Sequence, residues 1–294
     1  MRTTGKRSTT KRTAVPAGAF IDSDGILPRV ESYLRADQPF ILLGNAGIGK
    51  TTLLKEIVGD KLVTAIGSEL SPSDLLGRYM LIDGETKWID GILVSAMLHG
   101  KVFYLDELPA LANSPAVITV LHSILDDRRE AFLVPCGRTV KAHPDFRFVA
   151  SANYSASGTD LLSREFRDRF LYVPMRRLTT ELEIQLLVGR HTLDEDIAEW
   201  LVRYAEVTRN VDPENGASTR QLINAGKAVI HGVDPDHAAF ESMVMPIAGC
   251  SRSALQTLVQ ALRAENFSEI PAWQIALGSQ RSAVVEYKNG ETWV

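Results

Sequence analysis

Apolar and polar residues follow two different patterns along this chain of 294 residues. Up to about residue 173, short apolar runs alternate with segments in which apolar residues recur at helical spacing. The apolar runs predict buried strands at residues 39–43, 62–66, 101–105, 146–150 and 170–173. Strands that alternate with helices form a parallel sheet with helices on both faces. The pattern therefore predicts an α/β fold for this region.

Beyond residue 174 the pattern is helical. The predicted helices span residues 179–190, 194–210, 218–231, 235–247 and 251–265. We therefore expect four parts: a basic disordered tail at 1–17, an α/β core at 18–175, a C-terminal α-helical subdomain at 176–266, and an extension at 267–294. The extension contains Asn289-Gly290 between two β-rich pieces, which predicts a terminal β-hairpin.

Shorter elements complete the predicted core. Two hairpins are expected, one around Asp83-Gly84-Glu85 and one around residues 135–138. The predicted helices lie at residues 26–34, 52–58, 91–98 and 115–125, and residues 71–77 suit a capped helical turn.

One loop of the core carries a phosphate-binding signature, which follows the first predicted strand and is followed by a predicted helix. Glycines allow backbone N–H groups to surround phosphate oxygens, and the N-terminus of the helix adds positive partial charge. A lysine here can reach the β- and γ-phosphates, and a hydroxyl can bind Mg²⁺. The motif consists of Gly44, Asn45, Ala46, Gly47, Ile48, Gly49, Lys50 and Thr51, with Thr52 after it. The sequence therefore predicts binding of ATP with Mg²⁺.

Composition and charge exclude several classes of protein. No apolar run approaches the ~18 residues of a membrane span, and no secretory signal begins the chain. Only Cys136 and Cys250 are present, which argues against a disulfide framework and fits a reducing cytoplasm. The net charge is −4, but the tail holds five basic residues and no acidic ones, so the remainder carries −9. A solubilising tail is expected, with nucleic-acid binding as the alternative.

Two acidic residues follow the strand at 101–105. Ligands of parallel sheets bind at the carboxyl ends of the strands, and adjacent buried acids are costly unless they bind a cation. We therefore interpret Asp106 as the Walker B aspartate that supports Mg²⁺. Glu107 is then the base that orients and deprotonates the attacking water.

Other polar residues suit the same chemistry. Asn153 ends the next strand, where its amide can hold the attacking water or the γ-phosphate, and Arg220 near the start of a predicted helix offers one more cation. Arg164, Arg167 and Arg169 precede the last strand. A guanidinium suits a developing phosphoryl charge. These three cannot easily reach their own nucleotide, so we expect action on a neighbouring subunit.

In their order, these motifs resemble the MoxR-type AAA+ ATPases, in particular the CbbQ, NorQ, GvpN and CobS-like branches. The resemblance covers roughly residues 38–249 and rests on G-N-A-G-I-G-K-T, Y-L-D-E-L, the run ending in V-A-S-A-N, R-E-F-R-D-R-F and S-T-R. It implies that Lys50 and Thr51 belong to Walker A, Asn153 is sensor 1 and Arg220 is sensor 2. Among the three arginines it favours Arg169 as the arginine finger. One departure is Tyr154, where many relatives have proline.

The resemblance also implies a function. Such proteins form rings, usually hexamers, hydrolyse ATP between subunits, and move a helical lid and two pore-facing hairpins. They remodel or activate a client protein, often for metal or cofactor insertion, together with a separate von Willebrand factor A-domain protein. Two alternatives stay open: an AAA+ motor acting on nucleic acid, and a nucleotide switch that does not hydrolyse. Use of GTP also stays open, although no N-K-x-D motif is present.

Overall fold

The computed structural model describes residues 20–154, 162–249 and 251–267. The basic tail and the hairpin expected at Asn289-Gly290 lie outside these residues. By its internal contacts the chain divides into two units, Met1–Gln185 and Leu186–Val294, which are described separately below.

A five-stranded parallel sheet forms the centre of the first unit. Its strands are β1 (Phe40–Leu43), β2 (Leu62–Ile66), β5 (Val102–Asp106), β8 (Arg147–Ala152) and β9 (Leu171–Pro174). They lie in the order β2-β5-β8-β1-β9, and every neighbouring pair is parallel. The predicted parallel sheet is confirmed, and the observed strands begin and end within two residues of the predicted ones.

Helices cover both faces of this sheet, as predicted. Side chains alternate along each strand, so Phe40 and Leu42 pack on one face of the sheet and Ile41 on the other. The helices of this part are α1 (Ile26–Arg35), α2 (Lys50–Val58), α3 (Pro72–Leu76), α4 (Ile92–Leu98), α5 (Pro115–Ile124) and α6 (Arg164–Arg167). Helices α1 and α2 contribute to the core with Phe40, and α4 and α5 to the core with Ile41.

Both predicted hairpins are present. Strands β3 (Gly77–Ile82) and β4 (Glu85–Asp90) are joined by the two residues Asp83 and Gly84, whose φ angles of 53° and 80° suit a type I′ turn. Strands β6 (Glu130–Leu133) and β7 (Arg138–Lys141) pair through a four-residue loop.

The second unit is helical in the residues that the structure describes. Helix α7 (Thr180–His191) brings the chain into it, followed by α8 (Glu195–Val211), α9 (Thr219–Ile230), α10 (Pro235–Ala239), α11 (Met245–Ala248) and α12 (Arg252–Ala264). The segment predicted as one helix at 235–247 contains a wider π-helical turn at Phe240–Val244 between α10 and α11. Pro246, in α11, has no N–H to donate to the regular helical ladder.

Candidate nucleotide-binding site

The predicted phosphate-binding loop lies between β1 and α2. Gly44 continues the sheet, because its N–H donates to the carbonyl of Ala152 at 3.0 Å. A Cβ on Gly44 would lie 2.3 Å from the Ile48 side chain and 2.9 Å from the Met175 carbonyl oxygen. Gly49 precedes α2 with a φ of 96°, in the left-handed region that favours glycine. The loop therefore has a narrow shape that depends on glycine at both positions.

Lys50 lies inside this loop. Its side-chain ammonium donates to the carbonyl of Gly44 at 2.6 Å, to that of Asn45 at 3.2 Å and to Oδ1 of Asn153 at 2.9 Å. The residue is only 9% exposed. The structure thus brings together the predicted Walker A lysine and the predicted sensor 1 asparagine.

Asp106 and Glu107 lie at the carboxyl end of β5, beside this loop. The hydroxyl of Ser151 donates to Oδ1 of Asp106, and the Tyr104 hydroxyl donates to the same oxygen at 3.0 Å. The Glu107 N–H donates to Oγ of Ser151 at 3.1 Å. Ser151 therefore connects the two predicted Walker B residues.

The backbone of Glu107 is unusual. Its φ is 61°, in the left-handed region, which costs roughly 1–2 kcal/mol for a residue with a Cβ. Gly67, just after β2, lies close to it: a Cβ on Gly67 would be 2.6 Å from the Glu107 carbonyl oxygen. The position of Glu107 thus depends on a glycine in a neighbouring segment.

A small cavity of about 170 Å³ separates the predicted base from the predicted sensor. It is lined by Glu107, Pro109, Ala110, Ser151, Ala152 and Asn153. Since one water occupies about 30 Å³ in the liquid, the cavity has room for a few water molecules. A water there would lie beside both Glu107 and Asn153.

The residues present fit ATP and Mg²⁺. The glycine-dependent loop with its lysine suits phosphate oxygens. Asp106 and Thr51 both lie near the Tyr104 phenol: burial chiefly raises the pKa of this phenol, while hydrogen bonds from Ser151 and Thr51 lower it. Within the described ranges, no group of three His, Cys, Asp or Glu residues could hold a metal ion. One carboxylate, one hydroxyl and phosphate oxygens form the kind of ligand set in which Mg²⁺ usually binds.

The three predicted finger arginines do not join this constellation. The Leu171 N–H donates to the Pro39 carbonyl at 3.0 Å, so β9 and β1 begin at the same edge of the sheet. Arg169 lies at this edge, in a cleft of about 450 Å³ with Asp37, Gln38 and Pro39 among its lining residues. The phosphate loop follows the opposite end of β1, on the order of 13 Å away for a strand of four residues.

The other two arginines belong to α6. The side chain of Arg164 is 89% exposed, with its Nε 3.7 Å from Asp168, and Arg167 is half-buried. Helix α6 begins after Ser163, whose hydroxyl accepts from the Phe166 N–H at 3.2 Å. This helix was not predicted from the sequence, because four residues are too few to show helical periodicity.

Arg220 belongs to the second unit. It is exposed and is the second residue of α9, whose N-terminus has a capping box formed by Ser218 and Gln221. Two buried residues hold Ala217, which precedes Ser218. Arg209 Nε donates to the Ala217 carbonyl at 2.8 Å, and the Thr208 hydroxyl accepts from the Ala217 N–H at 2.9 Å.

The two hairpins contact each other. The Tyr79 hydroxyl donates to the Pro135 carbonyl at 3.4 Å, and Arg138 forms an ion pair with Asp90. Each hairpin exposes large apolar residues: Leu81 is 74% and Val134 is 75% exposed. The hairpins therefore form one surface element with exposed apolar side chains.

Three residues around this site were not predicted from the sequence: Tyr104, Ser151 and Gly67. Tyr104 and Ser151 lie within strands that read as buried core, and Gly67 lies in a short turn. The sequence signal that could have identified Tyr104 and Ser151 is the presence of a hydroxyl group in an otherwise apolar strand.

Comparisons with known proteins give two family matches. A family model described as AAA domain (dynein-related subfamily) matches residues 39–170. A second model, described as CbbQ/NirQ/NorQ C-terminal, matches residues 183–264.

Individual proteins agree with these matches. Protein NorQ of Paracoccus denitrificans is 32% identical over 242 residues, covering 80% of this chain and 89% of its own. Protein CbbQ of Hydrogenophilus thermoluteolus is 31% identical over 247 residues, covering 79% and 91%. Denitrification regulatory protein NirQ of Pseudomonas aeruginosa is 31% identical over 228 residues, covering 74% and 86%.

A solved structure shares the fold. A RuvB mutant of Thermotoga maritima aligns with a TM-score of 0.52 at 18% identity, covering 88% of this chain and 82% of the other. None of the helices in the described ranges is long and apolar enough to cross a membrane.

Proposed function

The chain belongs to the MoxR-type AAA+ ATPases of the CbbQ, NirQ and NorQ branch, and on this basis we propose that it is a ring-forming enzyme that hydrolyses ATP with Mg²⁺ to remodel or activate a partner protein. Support comes from the cavity between Glu107 and Asn153, beside the lysine of the phosphate-binding loop. In this proposal a phosphate, an attacking water and the Glu107 base would meet beside this cavity.

Each residue would contribute one part of the chemistry. Lys50 would bind the β- and γ-phosphates, and Thr51 and Asp106 would hold Mg²⁺, which neutralises phosphate charge when bound. The Glu107 carboxylate would accept the proton of the attacking water. Asn153 would exchange its bond with Lys50 for one with the γ-phosphate or the water. The Arg220 guanidinium would add a donor toward the phosphates.

We assign the arginine finger to a neighbouring subunit in a ring, for which a hexamer is expected. The position of Arg169 at the far edge of the sheet supports this assignment, because its guanidinium cannot reach the phosphate loop of its own chain. Arg167 and Arg164 would lie next to it. A complete site would then need two subunits, as in other enzymes with fingers supplied in trans.

The output of hydrolysis would be movement of the α-helical lid (176–266) relative to the α/β core (18–175). The paired hairpins would then transmit this movement to a client. The exposed Leu81 and Val134 support a role in contacting protein. One relative is named a denitrification regulatory protein, which fits a chain that acts on other proteins. A separate von Willebrand factor A-domain protein is the expected companion.

A trap experiment tests this function. Glu107→Gln should bind ATP and hydrolyse it at least 100-fold more slowly, because the amide is no base. Tagged Glu107→Gln protein is incubated with ATP and Mg²⁺ in lysate of the native host, and the captured material is identified. Lys50→Ala, which should not bind ATP, is the control that removes non-specific capture.

Recovery of a von Willebrand factor A-domain protein together with a client enzyme would support the proposal. Recovery of nuclease-sensitive nucleic acid would contradict it and favour a motor on nucleic acid, which the basic residues up to Arg12 motivate. Wild-type protein without turnover in an ATP-bound ring would favour a nucleotide switch. Competition between ATP and GTP during turnover identifies the nucleotide.

A further inference from the structure

We propose that Tyr104 is a positioning residue that holds Asp106 in place for Mg²⁺, with Ser151 as a second donor to Asp106. The inference rests on the proposed function, since it takes Asp106 as a metal-binding residue. Tyr104 itself touches neither nucleotide nor metal in this assignment.

The buried Tyr104 hydroxyl requires a hydrogen-bond partner, which Asp106 supplies. Tyr104 is fully buried in β5, in the core formed with Phe40, Leu42 and Val149. A phenylalanine would fill the same apolar space without a polar atom. A buried hydroxyl costs free energy unless it is hydrogen-bonded. Here it donates to Oδ1 of Asp106 at 3.0 Å, and residues two apart on a strand share a face.

The hydrogen-bond donors to the Asp106 carboxylate are concentrated on one of its two oxygens. Tyr104 and Ser151 both donate to Oδ1. No hydrogen bond from another described residue reaches Oδ2. Two donors on one oxygen limit rotation of the carboxylate and leave the other oxygen available for a cation.

Ser151 has a related role. It is 1% exposed, donates to Asp106 and accepts from the Glu107 N–H at 3.1 Å. Its loss would leave the Asp106 carboxylate with Tyr104 as its donor and would leave the Glu107 N–H without this acceptor. We therefore expect Ser151→Ala to affect both metal binding and turnover, whereas Tyr104→Phe affects chiefly metal binding.

Manganese binding tests the inference without relying on activity. Free Mn²⁺ is measured by electron paramagnetic resonance during titration of the full-length protein saturated with ADP. Tyr104→Phe should raise the Mn²⁺ Kd roughly tenfold, the usual effect of losing a hydrogen bond to a charged group. Its ADP affinity in EDTA should stay within twofold. The Mg²⁺ concentration for half-maximal ATPase should rise by the same factor, with kcat at saturating Mg²⁺ within about twofold.

Ser151→Ala should raise the Mn²⁺ Kd in the same direction. The double variant of Tyr104 and Ser151 should show an effect different from the product of the two single effects, because both donors serve one oxygen. Tyr204→Phe, which removes a phenol oxygen from a buried tyrosine of the second unit, should leave the Mn²⁺ Kd unchanged.

The outcomes separate this inference from the proposed function. If Asp106→Asn weakens Mn²⁺ binding but Tyr104→Phe does not, the positioning role is wrong and the proposed site stands. If Asp106→Asn leaves Mn²⁺ binding intact, the proposed metal site itself is wrong. Equal weakening of ADP binding in EDTA would indicate a general structural role and overturn the inference. Should Tyr104→Phe prove too unstable to assay, Ser151→Ala decides in its place, and an unchanged Mn²⁺ Kd there overturns the inference.

Discussion

Lys50 and Asn153 are joined by a hydrogen bond of 2.9 Å across 103 residues of the chain. The bond connects the first residue of α2 with the residue that follows β8. Bound ATP would have to replace it, because a γ-phosphate needs the lysine ammonium. The loop and the predicted sensor are therefore coupled before any nucleotide binds.

We predict that Asn153→Ala lowers kcat roughly 100-fold, the usual effect of removing one preorganised donor. ATP affinity should change less than fivefold, because Lys50 keeps the carbonyls of Gly44 and Asn45 as partners. Steady-state ATPase assays and binding of a fluorescent ATP analogue measure the two effects. Asn153→Asp is the matched control: its negative charge should weaken ATP binding more than alanine does. Equal affinities in both variants would argue against proximity of Asn153 to the γ-phosphate.

Gly67→Ala should reduce kcat at least tenfold while nucleotide affinity stays within twofold. The added methyl would lie 2.6 Å from the Glu107 carbonyl oxygen and would displace that residue. Gly226→Ala is the control, since its added methyl meets no backbone atom and only the ends of two side chains, Leu187 at 3.1 Å and Leu193 at 3.6 Å. An unchanged kcat in Gly67→Ala would show that this backbone contact does not position Glu107.

Arg169→Ala should lower the ATPase rate of the assembled ring at least 100-fold, as loss of an arginine finger does. Mixing Arg169→Ala subunits with Glu107→Gln subunits tests whether it acts in trans. Some interfaces of mixed rings would then pair an intact Glu107 with an intact Arg169 and recover activity. Arg164→Ala, with its exposed side chain, is the comparison. Full activity of the Arg169→Ala ring would exclude it as the finger.

Arg138→Ala should weaken the connection between the two hairpins without affecting basal hydrolysis, because the Tyr79–Pro135 contact remains. Its ion pair with Asp90 is partly exposed, so the free energy of unfolding should fall by only about 0–1 kcal/mol. Stimulation of the ATPase by the captured partner should fall severalfold. Lys87→Ala removes an ion pair within a single hairpin and should leave stimulation unchanged. Loss of stimulation in both variants would point to surface charge instead of coupling.

Most elements of the first unit could be predicted from sequence because they carry strong local signals. Asp83-Gly84 adopts positive φ at both positions, which is why this dipeptide predicts a hairpin. The strand before Asp106 is apolar because it is buried, and the loop around Lys50 contains glycines because its backbone conformation requires them. Both features are therefore visible in the local sequence. The phosphate loop and the acidic pair could therefore be located from their spacing and context.

Residues that act through long-range contacts were not predictable. Tyr104 and Ser151 resemble ordinary strand residues until the sheet places β5 beside β8. Glycine is required at position 67 because the Glu107 backbone lies against it, and this contact exists only in the folded structure. The π-helical turn at Phe240–Val244 also escaped, because its apolar spacing resembles that of a continuous helix.

The left-handed backbone of Glu107 implies a trade-off between heat resistance and turnover. Conformational strain at a reactive position lowers the stability of the folded state, and it persists only while function requires it. Glu107→Asn should relieve part of the strain, since asparagine tolerates this conformation, and raise the melting temperature by roughly 2–4 °C per kcal/mol gained. Glu107→Gln, with the same backbone preferences as glutamate, should melt like wild type. Variants of this protein that have lost hydrolysis would then no longer need glutamate at position 107, and a substitution there that relieves the strain would raise the stability of their folded state.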